Sequence, residues 1–235
     1  MIKKVLSFTM KGRYGHFCSP FTNVYRLTQP CPTKTAIMGF VGAVIGNNRD
    51  DLGLYEQLKC GVEVNFNYRT KSLSYTTRKD FPGKQGNTDH SLIPVEMIVY
   101  PNYRVHVVGA DNILNQLYTL MKEGGSYYTP YLGLAQCIAS TDFEITESPV
   151  DGEVIEDGRD ADVFGAFIRG NHGELDFARL TKEQHRLTEF SGLSGISVDR
   201  QFQHDTFTVN LSNHSVPLKQ VRNTVSVRGR HVPIF

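Results

Sequence analysis

Apolar and polar positions alternate near the start of the chain. Leu6, Phe8 and Met10 fall on one face of an extended segment and Ser7 and Thr9 on the other, the period of a half-buried strand. The rhythm then changes. Ile37, Val41, Val44 and Ile45 recur at helical spacing from a start near Thr33 or Thr35, and Ala36, Gly39, Gly42 and Ala43 add small faces. Glycine inside a helix costs about 1 kcal/mol relative to alanine, so two of them imply that this helix lies close against a sheet. Gly46-Asn47 ends it. A second strand alternates Val62, Val64, Phe66 and Tyr68 against Glu63, Asn65 and Asn67, with an extended piece at Leu73–Thr77 as its hairpin partner. Arg78–Leu92, rich in Lys, Gly, Asn and Asp, reads as a loop. Tyr103, Val105 and Val107 mark the next strand. Asp111 caps a helix with the stripe Leu114, Leu117, Tyr118 and Met121, closed by Gly124-Gly125. A strand from Leu134 to about Ile145 completes the series.

In order these elements read β-α-β-β-α-β, the ferredoxin-like plan of an α+β protein, with a β-hairpin arm. Residues 1–148 form this domain. Residues 149–235 form a smaller, mostly β region with strand-like runs at Val163–Ile168, Phe207–Leu211 and Val225–Val227. Thr181 and Gln184 fit a capping box for a short helix at Thr181–Leu187.

Composition adds little to this picture: 235 residues, 40% hydrophobic and 21% charged, suit one large or two small globular domains. The charge is more informative, because a net +1 hides an uneven spread. Lys3, Lys4, Lys11, Arg13, Arg26, Lys34 and Arg49 precede any acidic residue. Asp142, Glu144, Glu147, Asp151, Glu153, Glu156, Asp157, Asp160 and Asp162 then face only Arg159, and the stretch from Arg200 is basic again. Cys18, Cys31, Cys60 and Cys137 show neither a C-x-x-C pair nor histidine at ligand spacing, so no metal and no cofactor are expected. The N-terminus lacks the apolar run of a signal peptide, and no segment approaches a membrane span. A cytoplasmic protein without membrane contact is expected.

No Walker loop, Rossmann fingerprint, nucleophile elbow or H-E-x-x-H is present. His172, His185, His204, His214 and His231 sit among polar residues and read as surface histidines. The loop from Gly12 to Thr33 offers more. Lys11, Arg13 and Arg26 suit phosphates, Tyr14, His16, Phe17 and Tyr25 suit unpaired bases, and Gly12 and Gly15 let backbone amides approach a ligand. The plainer alternative is that Phe17 and Tyr25 pack beneath the loop and the glycines merely turn it. Metal-free RNA cleavage is a further alternative, with Tyr14, His16 and Lys11 as one set and His106 beside Arg104 as another.

The residue order itself carries a resemblance. Gly15-His16-Phe17, then Pro32-Thr33, then Thr35, Ile37, Gly39, Gly42, Ala43 and Gly46 resemble the N-terminal signature of a Cascade subunit. This is the CRISPR-associated subunit that caps the 5′ end of the guide RNA, the fifth Cas protein family of the RAMP superfamily. Tyr127-Tyr128-Thr129-Pro130-Tyr131-Leu132-Gly133, followed by Cys137 and Ala139, is similar to that family's Y-x-P-x-L-G segment, in its type I-B form. Cys18 departs from the pattern, since relatives commonly carry arginine there.

The resemblance implies a non-catalytic RNA-binding subunit in antiviral defence. Its partners would be the crRNA 5′ handle, the Cascade backbone and large subunits, and target DNA near the protospacer-adjacent motif. Lys11, Gly12, Arg13, Tyr14, Gly15, His16, Arg26, Thr33 and Lys34 would line the handle site. Arg69, Lys71, Arg78 and Lys79 would form an arm onto the guide or a neighbouring subunit. In the type I-C branch the corresponding subunit is a metal-independent endoribonuclease, so His16, Tyr14, Lys11 and His106 stand as the catalytic alternative. An adaptor role for the acidic 142–162 segment, facing a basic partner, is the third reading.

Overall fold

The computed structural model describes residues 1–22, 25–48, 51–80, 88–145, 147–181, 185–197 and 199–235, with backbone alone for 77–80 and 88–91. The molecule is mixed α+β, with strands predominant. The elements of the first part are β1 Ile2–Lys11, β2 Tyr14–Gly15, α1 Lys34–Ile45, α2 Gly53–Gln57, β3 Lys59–Val64, β4 Thr70–Asp80, β5 Thr88–Val99, β6 Asn102–Gly109 and α3 Asp111–Lys122. They continue with β7 Val150–Ile155, β8 Arg159–Val163, β9 Phe167–Ile168, β10 Glu174–Leu175 and α4 Phe177–Leu180. Strands β11 Leu187–Ile196, β12 Phe202–Asn210, β13 Val216–Val221, β14 Thr224–Val227 and β15 Arg230–Pro233 complete the chain. Among the described residues no helix is long and apolar enough to cross a membrane.

The main sheet has nine strands in the order β10-β13-β8-β15-β14-β7-β1-β6-β3. Strand β1 pairs antiparallel with β6 and β7, and β6 pairs antiparallel with β3. Leu6, Phe8 and Met10 are buried as their alternation predicts, and Phe8 stacks on Phe40 of α1 at 6.0 Å. The other face is covered too: Val5 and Val108 meet Val225, Val227, Val232 and Ile234. The sheet curls until β3 reaches the residues after β15, where Cys60 and Phe235 exchange two backbone hydrogen bonds of 3.0 Å. A Cβ on Gly61 would collide with the Pro233 carbonyl there, so glycine permits the approach.

Both main helices form where the pattern predicts. Helix α1 starts after Thr33 and ends at Gly46 in the left-handed region (φ 80°); in α3 the capping position is Ala110, and Asp111 is the first helical residue rather than the cap, its charge in the positive first turn. Other expectations fail for tertiary reasons. The hairpin pairs β4 with β5, from Thr70 opposite Ile98 to Asp80 opposite Thr88, so Leu73–Thr77 does not pair with residues 62–68. The ends of the assumed loop at 78–92 are therefore strand, while residues 81–87 lie outside those described. Leu134–Ile145 forms no strand: it crosses the end of β1, anchored by Thr9 N–H to Phe143 O and Ser140 N–H to Lys11 O (both 2.8 Å). Phe143 contributes by packing edge-on to Phe40 at 6.1 Å, and the place beside β1 falls to β7. Of the expected helix at Thr181–Leu187, residues 182–184, with Gln184 of the supposed capping box, lie outside the described residues; a short helix, α4, lies just before it, capped by Asp176 and ended at Thr181, and strand runs from Leu187. His172 is fully buried rather than superficial, because its turn folds inward: it accepts from Ile168 N–H (2.9 Å) and donates to Ile234 O (3.1 Å).

The acidic stretch meets the basic ends. Asp151 pairs with Lys4 and Asp142 with Lys11 at 2.8 Å, Asp162 pairs with Arg179 at 2.7 Å, and Glu147 pairs with Arg228. Exposed pairs are worth about 0–1 kcal/mol each. Their main effect is to use up charge that the sequence leaves open for a partner.

Candidate nucleic-acid interface

Strand β5 works as a ruler along which distant cations gather. Arg26 bridges Val95, Lys71 lies opposite Met97, Val99 N–H donates to Arg69 O, and Tyr100 N–H donates to Arg13 O. All four side chains are exposed, and none has an ion-pair partner among the described residues. Successive residues of a strand rise about 3.4 Å, so this row spans roughly 17 Å. Arg13 lies 5.6 Å from the centre of the Tyr14 ring. Lys11, Gly12 and Arg13 also line a shallow groove of about 540 Å³ with Tyr100, Pro101 and Ile138. Tyr100, which no sequence pattern marks, is exposed and held at φ 50°, the αL region. Arg78 and Lys79 lie further along β4, opposite His90 and Asp89.

The rest of the expected set behaves differently. Lys11 is held by Asp142 at 2.8 Å and Glu144 at 2.5 Å, and these hydrogen bonds push its ammonium further up. Tyr14 and Gly15 pair with Val99 and Ile98, and Gly15 faces Pro101 closely. Lys34 is half-buried at the start of α1, where burial pushes its pKa down. Phe17 packs edge-on against Tyr103 at 5.8 Å inside the core, so it offers no stacking surface.

The two signature segments meet. His16 N–H donates to Leu132 O at 2.9 Å, and Gly133, at φ 85°, lies so close that a Cβ would strike the His16 carbonyl. His16 and Thr33 then line a cleft with Gly39 of α1, Tyr131 and Leu134. Ala36, Gly39 and Ala43 of α1 thus border this cleft rather than the sheet, while Gly42 is buried close to Leu54 of α2; Ile37, Met38, Phe40, Val41 and Val44 do the rest of the packing. The profile of the family described as CRISPR-associated protein (Cas_Cas5) matches residues 5–192. The chain belongs to that Cas5 family.

No curated protein matches the chain in sequence. Among solved structures, this Cas5 chain is similar to a CRISPR protein from Archaeoglobus fulgidus (TM-score 0.56, 13% identity, 100% of this chain and 99% of that one). It is also similar to a chain of a CRISPR RNA-guided surveillance complex (TM-score 0.50, 15% identity, 91% of each chain). At such identities the likeness speaks for the fold.

The groups of the catalytic alternative do not assemble. His16 is 1% exposed, and burial pulls its pKa down despite the bond to Glu96 O, so the ring is neutral. His106 does not face solvent, because β15 and the Glu63 side chain cover it. Its Nδ1 lies 2.8 Å from Ser7 Oγ and its Nε2 2.8 Å from Glu63 Oε1, while Glu63 also takes Arg230 at 3.0 Å. Glu63, placed on a polar face by its alternation, is 3% exposed. Burial pushes its carboxyl up, but the His106 hydrogen bond and the charges of His106, Arg230 and Arg104 outweigh this and hold it below the usual range.

Proposed function

We propose that this Cas5 chain is a non-catalytic RNA-binding subunit of a type I CRISPR surveillance complex. It holds the 5′ handle of the crRNA and contacts the backbone and large subunits. The observation that carries this reading is the row of exposed cations along β5, Arg26, Lys71, Arg69 and Arg13. A row of cations beside aromatic rings suits a single strand of RNA. The RNA-guided complex to which one similar structure belongs is the matching setting. The order β7-β1-β6-β3, with α1 and α3 as crossovers, supports a ferredoxin-like reading of the first part, with β4–β5 as its arm. The engaged Lys11 and His106 and the neutral, buried His16 support the non-catalytic reading.

The test is binding of repeat-derived RNA across a salt series. Arg13→Ala with Arg69→Ala should weaken binding and flatten the salt slope by about 0.7 for each phosphate no longer held. An unchanged slope rejects the placement. In EDTA the pure protein should leave the RNA intact; cleavage would establish a metal-independent endoribonuclease instead.

A further inference from the structure

Strand β1 turns Ser7 and Thr9 away from α1, and on that face the sheet holds a pocket of about 120 Å³, the room of a few waters or of one small anion. Three arginines line it: Arg104 from β6, Arg228 from the loop between β14 and β15, and Arg230 from β15. Glu144 and Glu147 line it too, and the pairing is uneven. Glu144 is held by Lys11 and Glu147 by Arg228, while the buried Glu63 takes Arg230 and His106. Arg104, exposed and placed between Thr9 and Glu63 by the strand register, has no ion-pair partner among the described residues. Ser7 and His106 bond each other. The Thr9 hydroxyl reaches only Glu144, at 3.5 Å, and Ser148 adds an exposed hydroxyl.

The backbone carries a second sign. Val227 pairs with Arg230, so Arg228 and Gly229 form a two-residue hairpin loop, at φ 52° and 75°. Such a loop favours asparagine, aspartate or glycine at its first position, and arginine stands there against that preference. Glu144 is also in the left-handed region, at φ 45°. Non-glycine residues held in that region gather at functional sites. Here both of them carry charge into one pocket.

We propose that this pocket binds a phosphate group, which takes Arg228 from Glu147 and joins it to Arg104, with the hydroxyls of Thr9 and Ser148 as further donors. The magnitudes favour the exchange. Both side chains of the Arg228–Glu147 pair are about half accessible, and exposed pairs contribute little. A phosphate carries more charge and more acceptor oxygens than a carboxylate, and it engages arginine through paired N–H donors. A carboxylate ligand would do no more than Glu147 already does, and a cation would meet three arginines. None of Arg13, Arg26, Arg69 and Lys71 lines the pocket. The site is therefore separate from the row along β5 and stands without the RNA-binding reading.

The experiment titrates the full chain with inorganic phosphate at fixed ionic strength by calorimetry, with Tm as a second readout. Arg228→Asn suits the hairpin loop better than arginine. Its Tm should stand at or above that of wild type, while phosphate affinity falls about tenfold or more, the scale of hydrogen bonds to a charged group. Glu147→Gln should bind phosphate several-fold more tightly, a gain that a merely structural ion pair does not give. Arg13→Ala with Arg69→Ala should leave phosphate affinity unchanged. Competition by a mononucleotide, and none by its nucleoside, would assign the group to a nucleotide; phosphate bound without such competition would assign it to the free ion. Absence of phosphate binding in wild type and Glu147→Gln alike overturns the site, and so does an unchanged affinity in either Arg228→Asn or Glu147→Gln. Loss of phosphate binding in the β5 double variant overturns it as well, moving the anion to that row and leaving the RNA reading in place.

Discussion

Glu63 shows how much one buried charge depends on residues far along the chain. Its carboxylate is met by His106 on the neighbouring strand and by Arg230 near the other end. Removing a single partner of such a set strands the remaining charge. Arg230→Met, which leaves the buried Glu63 carboxylate short of its cation, should therefore cost about 3 kcal/mol in urea unfolding, and adding Glu63→Leu should recover part of that. The pH dependence has a definite sign. His16 and His172 are both held below the ordinary 6.5, chiefly by burial, and Glu63 is held below 4.5. Each depressed group binds protons more readily when unfolded. Stability should fall as the pH drops beneath about 6.5 and again beneath the carboxylate range. Urea midpoints that stay flat from about pH 7.5 to 5.5 would show that the two rings charge in place. None of this was legible locally: Glu63 and His106 each sit in an ordinary alternating strand, and the residues that bury them come from β15.

At the scale of elements, three signature glycines look alike in sequence and do different work. Gly46 ends α1 at φ 80°, with Tyr127 2.6 Å from an added Cβ. Gly133 lies at φ 85° against the His16 carbonyl. Gly39 is an ordinary helical residue beside open space. Alanine should accordingly cost about 2 kcal/mol or more at Gly46 and at Gly133, and gain up to about 1 kcal/mol at Gly39, measured by thermal unfolding. A loss of stability in Gly39→Ala would mean that this side of α1 packs after all. The helices themselves were readable, because caps and apolar spacing are local. The hairpin was not: Leu73–Thr77 of β4 reads as strand, but its partner β5 begins inside Arg78–Leu92, whose Lys-, Gly-, Asn- and Asp-rich composition resembles a loop.

For the molecule as a whole, the C-terminal strands are part of the first sheet rather than an appendage. A chain ended at Arg222 would lose β14 and β15, uncover Val5 and Val108, and leave Glu63 without Arg230. It should show no cooperative melt and should be cut rapidly by protease; a sharp transition would contradict this account of the sheet. By itself the sequence determined the family, the two main helices and the first strand, because residue order, caps and periodicity act over a few neighbouring positions. Only the tertiary structure decided which charges are available. Lys11 is spent on Asp142 and Glu144, while Arg13, Arg26, Arg69 and Lys71 lie exposed along β5 without an ion-pair partner among the described residues. The reason is physical: an ion pair or an empty cleft depends on distance between segments remote in the chain, and no local pattern encodes that distance.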